Sequence, residues 1–167
     1  SSDSRFKELI ALQQSSVDNY RKTASKLNLC RQKAAKKLSH DISKKLNDLG
    51  MPGGKFSIEA NKIEKDTPLQ NGMDKIDYLV SLNPGQPLQA LSKVASGGEL
   101  SRISLAIQVT GSKDKGIPTL IFDEVDSGIG GGVAEIVGKR LHSLSDKRQV
   151  FCVTHLAQVA SQGNHHL

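Results

Sequence analysis

The sequence predicts an α/β fold, a parallel sheet flanked by helices and entered by a long N-terminal helix. Three observations carry this. Residues 4–49 contain neither Gly nor Pro and keep a helical apolar period. Two short apolar runs, 118–122 and 149–154, are separated by a segment of helix length, the pattern of parallel strands joined by a crossover. A glycine turn, Ser96-Gly97-Gly98, opens a helix about one strand-plus-helix unit ahead of them, as chemistry gathered at one sheet edge requires.

In the first helix Ile10, Val17, Ala24 and Leu38 stand seven or fourteen apart, with Tyr20, Leu27 and Ala34 on the interleaved positions. That is a heptad seam, interrupted where Arg31 and Asp41 fall on it. From Leu38 the pattern broadens to Ile42, Leu46 and Leu49, a stripe suited to packing on a globular body. Residues 1–49 are therefore expected to form a coiled-coil arm entering a head, with a single amphipathic core helix as the other reading. Gly50-Met51-Pro52-Gly53-Gly54 ends the helix. Phe56, Ile58 and Ala60 then alternate with Ser57 and Glu59, predicting a half-buried strand. Residues 61–75 are polar, with Pro68 and Gly72, and read as a loop or hairpin connection.

Tyr78 to Leu82 predicts a second strand, stopped by Asn83-Pro84-Gly85, and a linker with Pro87 follows. From there the expected order is helix 98–110, strand 118–122, helix 130–144, strand 149–154 and a helix from 156 onward. Residues 50–167 are expected to form the globular lobe.

A chain of 167 residues suits one domain with an appendage. Aromatic residues make up 4% and Trp is absent, which argues against base-stacking platforms. The net charge of +6 belongs wholly to residues 1–50, with 11 Lys/Arg against 5 Asp/Glu, because residues 51–167 carry 12 of each. Such a helix fits contact with nucleic acid or plain solubility. Cys30 and Cys152 lie far apart without metal-ligand spacing, which suits a reducing compartment, and Cys152 reads as an ordinary buried thiol. No apolar stretch is long enough to span a bilayer, so no membrane contact is expected. Neither terminus reads as a natural end, and a fragment is expected.

The chemistry sits in three places. Thr119-Leu120-Ile121-Phe122 is expected to be a buried central strand whose end presents Asp123 and Glu124, where open α/β sheets bind ligands. Asp123 suits a Mg2+ shell, and Glu124 stands where it can polarise an attacking water. A charged turn after a strand is the plainer reading. At Ser96-Gly97-Gly98-Glu99 the glycines let backbone N–H groups approach phosphate oxygens at a helix start, and Ser96 can cap the helix. A plain capped helix is the alternative there. Leu100, Ile103, Ala106 and Ile107 follow at helical spacing as its buried face. His155, after Phe151-Cys152-Val153-Thr154, can hydrogen-bond a phosphate or serve as a structural histidine.

Two glycine patterns are decoys. Gly128-x-Gly130 meets Val133 where a dinucleotide fingerprint needs its third Gly, and Gly111 with Gly116 is followed by Ile117 and Pro118 where a phosphate loop needs Lys and Ser/Thr. His40, His142, His165 and His166 form no zinc pattern.

Taken in order, Ala95 to Glu99 resembles the signature motif of ATP-binding-cassette (ABC) ATPases, Leu120 to Glu124 the Walker B strand, Val125 to Gly128 the D-loop, and Thr154-His155 the switch histidine. With a coiled-coil arm in front, the chain resembles the C-terminal lobe of the head in the chromosome-maintenance (SMC-like) branch. The resemblance is strong over residues 40–167 and one of pattern only in the arm. It implies a P-loop ABC-type head using ATP and Mg2+ in repair and recombination of DNA double-strand breaks, in the cytoplasm at the bacterial nucleoid. It implies three partners: DNA, a second copy of the head, and the N-terminal half of the same protein, which would carry the phosphate loop. Ser96, Gly97, Gly98 and Glu99 would then contact ATP held by the opposing head, with Asp126 near the dimer seam. Asp123 would hold the metal, and Glu124 and His155 would be catalytic within their own head. Glu99 replaces the Gln of transporter signatures, as is usual in this branch. Without the phosphate loop this segment alone is expected to be inactive. The competing readings are a non-enzymatic coiled-coil or DNA-binding module and a head of another member of the branch, and the Asp123-Glu124 pair speaks against the first.

Overall fold

The computed structural model describes residues 2–63, 67–111, 117–146 and 148–167. The elements, in chain order, are α1 (Ser2–Asp48), β1 (Lys55–Lys62), β2 (Asp74–Ser81), β3 (Gln89–Ala90), a 3-10 turn (Leu91–Lys93), α2 (Gly97–Thr110), β4 (Thr119–Phe122), α3 (Gly131–Ser145), β5 (Gln149–Cys152) and α4 (Ala157–Ala160). Gly116 of the phosphate-loop decoy and residues 64–66 of the 61–75 connection lie outside the described residues. Two compact units emerge, residues 1–37 with 58–77 and residues 38–57 with 78–167, so α1, β1 and β2 each contribute to both.

In the first unit α1 lies against the strand ends and the connection between them. The Tyr20 hydroxyl accepts from Leu69 N at 2.8 Å and donates to Leu69 O at 3.0 Å. Asp74, 1% exposed, accepts from Asn28 Nδ2 at 2.6 Å and pairs with Arg31 at 2.9 Å. The covered stripe is Val17, Tyr20, Ala24, Asn28, Arg31 and Ala35, which keeps the expected seam as far as Ala24 and then drifts toward the α-helical period. An untwisted helix drifts off a seven-residue repeat, so Ala35 is buried while Ala34 and Leu38 of the expected seam are exposed. Ile10 is exposed as well.

In the second unit α1 buries Ile42, Leu46 and Leu49. Gly50 then turns the chain at φ +79°, where a Cβ would stand 2.8 Å from Val133 Cγ1 on α3. Only glycine meets both demands without strain. β1, β2 and β3 form one sheet, with β3 antiparallel to β2 in the register Leu79↔Ala90 and Val80↔Gln89. The Asn83-Pro84-Gly85 turn is closed by Ser81 Oγ, which donates to Gln86 O at 2.9 Å. β4 and β5 pair in parallel, Thr119↔Gln149 through Phe122↔Cys152, with α3 as the crossover.

Four expectations are corrected here. β4 is not buried on both faces: Leu120 and Phe122 point inward, but Ile121 is 73% exposed, because no further layer covers that face among the described residues. On α2, Leu100 is 45% exposed and Leu105 takes its place in the core, since the buried face is set by contact with α3 and the β4 turn. β2 starts at Asp74, whose polar side chain is buried by its partners on α1. The helix after 156 is a single turn. Close approach of α3 to that turn is permitted by Gly138, where a Cβ would stand 2.7 Å from Gln162 Cγ.

Candidate functional site

The site is assembled from the start of α2, the turn after β4 and the segment after β5, all in the second unit. Ser96, extended at φ −91° and ψ 124°, caps α2, its Oγ accepting a long 3.4 Å bond from Glu99 N. Ser96 and Gly97 are exposed, Gly98 is buried and Glu99 half-buried. The earlier amides of the helix have no intrahelical acceptor, so its positive end faces outward.

The turn 123–128 folds back on this helix. Asp123 and Glu124 are exposed at the carboxyl end of β4. Asp123 Oδ1 accepts from Glu124 N at 2.9 Å, and Glu124 O accepts from Ser127 N at 3.0 Å. Glu124 sits at φ +56°, alone among the described non-glycine residues in the left-handed region. That conformation costs on the order of 1–3 kcal/mol and persists only where the surroundings enforce it.

What enforces it is the first two turns of α2. Ser101 Oγ donates to Asp123 O at 2.5 Å. Arg102, 6% exposed, reaches under the turn, its Nη1 donating to Ser127 O at 2.6 Å and to Val125 O at 3.4 Å. Burial lowers the Arg102 pKa from its ordinary value, and the Glu99 charge works against that. Gly98 completes the contact, since a Cβ there would stand 2.8 Å from Ser127 Cβ and 3.1 Å from Glu124 O. The helix start and the acidic turn, expected to serve opposite heads, are thus immediate neighbours on one chain.

Asp126 is 2% exposed and receives the β5 end. Its Oδ2 accepts from Thr154 Oγ1 at 2.5 Å and from His155 N at 3.1 Å, with His155 Nδ1 at 3.3 Å. Thr154 Oγ1 in turn accepts from Leu156 N. Burial on its own raises the Asp126 pKa. The Thr154 hydroxyl, the amides of His155 and of Asp126 itself, and the His155 charge outweigh burial and hold the carboxyl below its ordinary value. The His155 side chain is 72% exposed, so one ring edge is steadied by Asp126 and the other faces solvent. Cys152 is half-buried rather than buried, and its thiol is pushed up to about 11 by burial and by the charges of Asp126 and Asp123.

The sequence reading missed Ser101, Arg102, Ser127 and the Thr154 hydroxyl as framework. The Ser101 and Arg102 side chains bond main-chain oxygens more than 20 residues away, Ser127 offers its carbonyl oxygen to Arg102, and the Thr154 hydroxyl bonds the Asp126 carboxylate, relations that no local spacing announces. The residues fit a nucleotide and its metal. Asp123 keeps one carboxylate oxygen outside its turn bond, and Ser96-Gly97-Gly98 presents amides and a hydroxyl.

No family model matches the chain. It is 47% identical over 150 residues to DNA repair protein RecN of Xylella fastidiosa, covering 90% of this chain and 27% of that protein. RecN of Vibrio cholerae is 51% identical over 145 residues, 86% of this chain and 26% of that protein, and RecN of Bacillus subtilis 39% over 157 residues, 86% and 27%. The chain thus spans about a quarter of the length of these relatives. Among solved structures, the Smc head domain with an extended coiled coil from Pyrococcus furiosus, bound to the C-terminal domain of ScpA, aligns with a TM-score of 0.64 at 18% identity, over 97% of this chain and 39% of that one. The Smc head with coiled coil and joint from Pyrococcus yayanosii aligns at 0.62 and 20% identity, over 97% and 30%. The fold is that of an SMC head lobe.

Proposed function

Because this chain belongs to the RecN family of DNA repair proteins, as a segment of about a quarter of their length, we propose that it is the hydrolytic and signature-bearing lobe of an SMC-like ATPase head acting in DNA double-strand break repair and recombination. Residues 1–49 are the arm and 50–167 the lobe. The observation that carries the reading is the joining of the capped Ser96-Gly97-Gly98 start to the Asp123–Asp126 turn through Ser101 and Arg102. A charged loop without chemistry has no need of a left-handed Glu locked beside an anion-favouring helix end.

In the assembled head, Asp123 would hold Mg2+, and the ion would neutralise phosphate charge when ATP is bound. Glu124 orients a water and takes its proton. His155, its ring steadied by Asp126, offers its outer edge to the terminal phosphate. Ser96, Gly97, Gly98 and Glu99 close on ATP carried by a second copy of the head, with Asp126 at the seam. The phosphate loop comes from the N-terminal half of the protein. Closure on ATP and opening on hydrolysis move the arms along DNA, in the cytoplasm. Lys22, Lys26, Lys33 and Lys37 share the α1 face opposite Ala24 and Ala35, an exposed cationic row fitted to duplex phosphates.

The test is made in the intact ATPase. Glu124→Gln is expected to keep ATP binding, lower turnover by at least about a hundredfold and accumulate closed dimers. Ser96→Arg is expected to block ATP-dependent dimerisation while a single head still binds nucleotide. Normal turnover in Glu124→Gln would overturn the assignment.

A further inference from the structure

The Glu124 carboxylate lies over Gly97, its Oε2 occupying the place a Cβ would take at that position. The backbone builds this placement. The left-handed φ, the Asp123 Oδ1 bond to Glu124 N, and the Ser101 bond to Asp123 O together aim the side chain at the start of α2. Gly97 has no side chain to hold the carboxylate away. Among the described residues no hydrogen bond or ion pair claims that carboxylate, and Glu124 is exposed, so it can be displaced. An anion at a helix N-terminus is favoured by the helix dipole, and two anions cannot share one such end at close range.

We propose that Glu124 is an internal placeholder: its carboxylate rests on the anion-favouring start of α2 in its own chain and is driven off when a phosphate docks at Ser96-Gly97-Gly98. This rests on the phosphate-binding reading of that segment. The resting chain then holds its own catalytic carboxylate against its own signature element. Phosphate arrival from a second head is what releases Glu124, so engagement of one site frees the catalytic group of the other. By reciprocity, anything that draws Glu124 away tightens the hold on phosphate.

The experiment titrates inorganic phosphate into the 15N-labelled 167-residue chain at low salt and follows the Gly97 and Gly98 amide resonances. Glu124→Gln is expected to bind phosphate about two- to fivefold more tightly than wild type, the range a charge at a helix end supports. Glu124→Asp keeps the charge but withdraws the carboxylate by one methylene, and it is expected to match Glu124→Gln. Equal affinity in all three chains overturns the placeholder while leaving the phosphate site standing. Tightening in Glu124→Gln with Glu124→Asp at the wild-type value also overturns it, because the effect is then general charge and not contact. Failure of phosphate to move either glycine in any of the three overturns both readings.

Discussion

Asp126 is where a single residue carries the most of the site. Its carboxylate collects the Thr154 hydroxyl and the His155 amide, and removing it leaves both donors without that acceptor. Asp126→Ala is expected to cost about 1–2 kcal/mol at pH 7 by denaturant unfolding, in line with part-buried donors losing a charged acceptor. Because the folded-state pKa lies below the unfolded value of about 3.9, this stability is complete above that value and is lost as pH falls through the folded one. The gap between wild type and Asp126→Ala should therefore narrow as unfolding is measured from pH 6 down to pH 3. The placement of Asp123 and Glu124 at the end of one strand and of His155 beyond the end of another was legible in sequence, because each follows a short apolar run. The residues that fix their geometry were not, since Arg102 acts on Val125 and Ser127 through the fold rather than along the chain.

Among the elements, α1 shows best what periodicity reveals and what it hides. Its length, its end at the glycine cluster and its descent into a core at Ile42, Leu46 and Leu49 follow from pattern and breakers alone. Arg31 reads as a defect in a seam, yet it answers Asp74, a partner that only the tertiary fold supplies. Arg31→Met is expected to destabilise the chain by about 2 kcal/mol, discounted for the partial exposure of the arginine, because a carboxylate that is 1% exposed keeps only Asn28. Arg31→Met with Asp74→Leu should recover most of that loss in thermal unfolding. Failure of the double variant to recover would mean that the pair sets register as well as stability. β4 failed for the reverse reason. An apolar run of four residues looks the same whether one face or both are covered, and that depends on chain beyond the run.

For the whole molecule, that open face is the chief consequence. Ile121 and Phe151 are register partners with exposed side chains, and exposed Val153 follows two residues on, giving an apolar strip on a two-stranded sheet. In a chain that spans about a quarter of its relatives, we expect the strip to meet the remainder of the head. Ile121→Ser is expected to reduce self-association of the isolated chain, read by light scattering, and to cost about 1–2 kcal/mol of stability in the intact protein. An equal stability loss when unfolding of the isolated chain is measured as well would mean that the strip packs within this chain alone. The α/β class and the order of the last strands were legible, because two apolar runs around a helix leave few topologies.

Every bond by which α2 grips the acidic turn ends on a main-chain oxygen, that of Asp123, Val125 or Ser127. The grip is therefore indifferent to which side chains the turn displays. The turn behaves as a socket, with a frame set by Ser101 and Arg102 and contents that can be exchanged. Glu124 can be replaced there by an amide or a shorter acid without reshaping the mount, whereas Asp123 and Asp126 help to hold the turn through their own carboxylates. A loss of activity on such an exchange then reports on chemistry rather than on collapse of the frame.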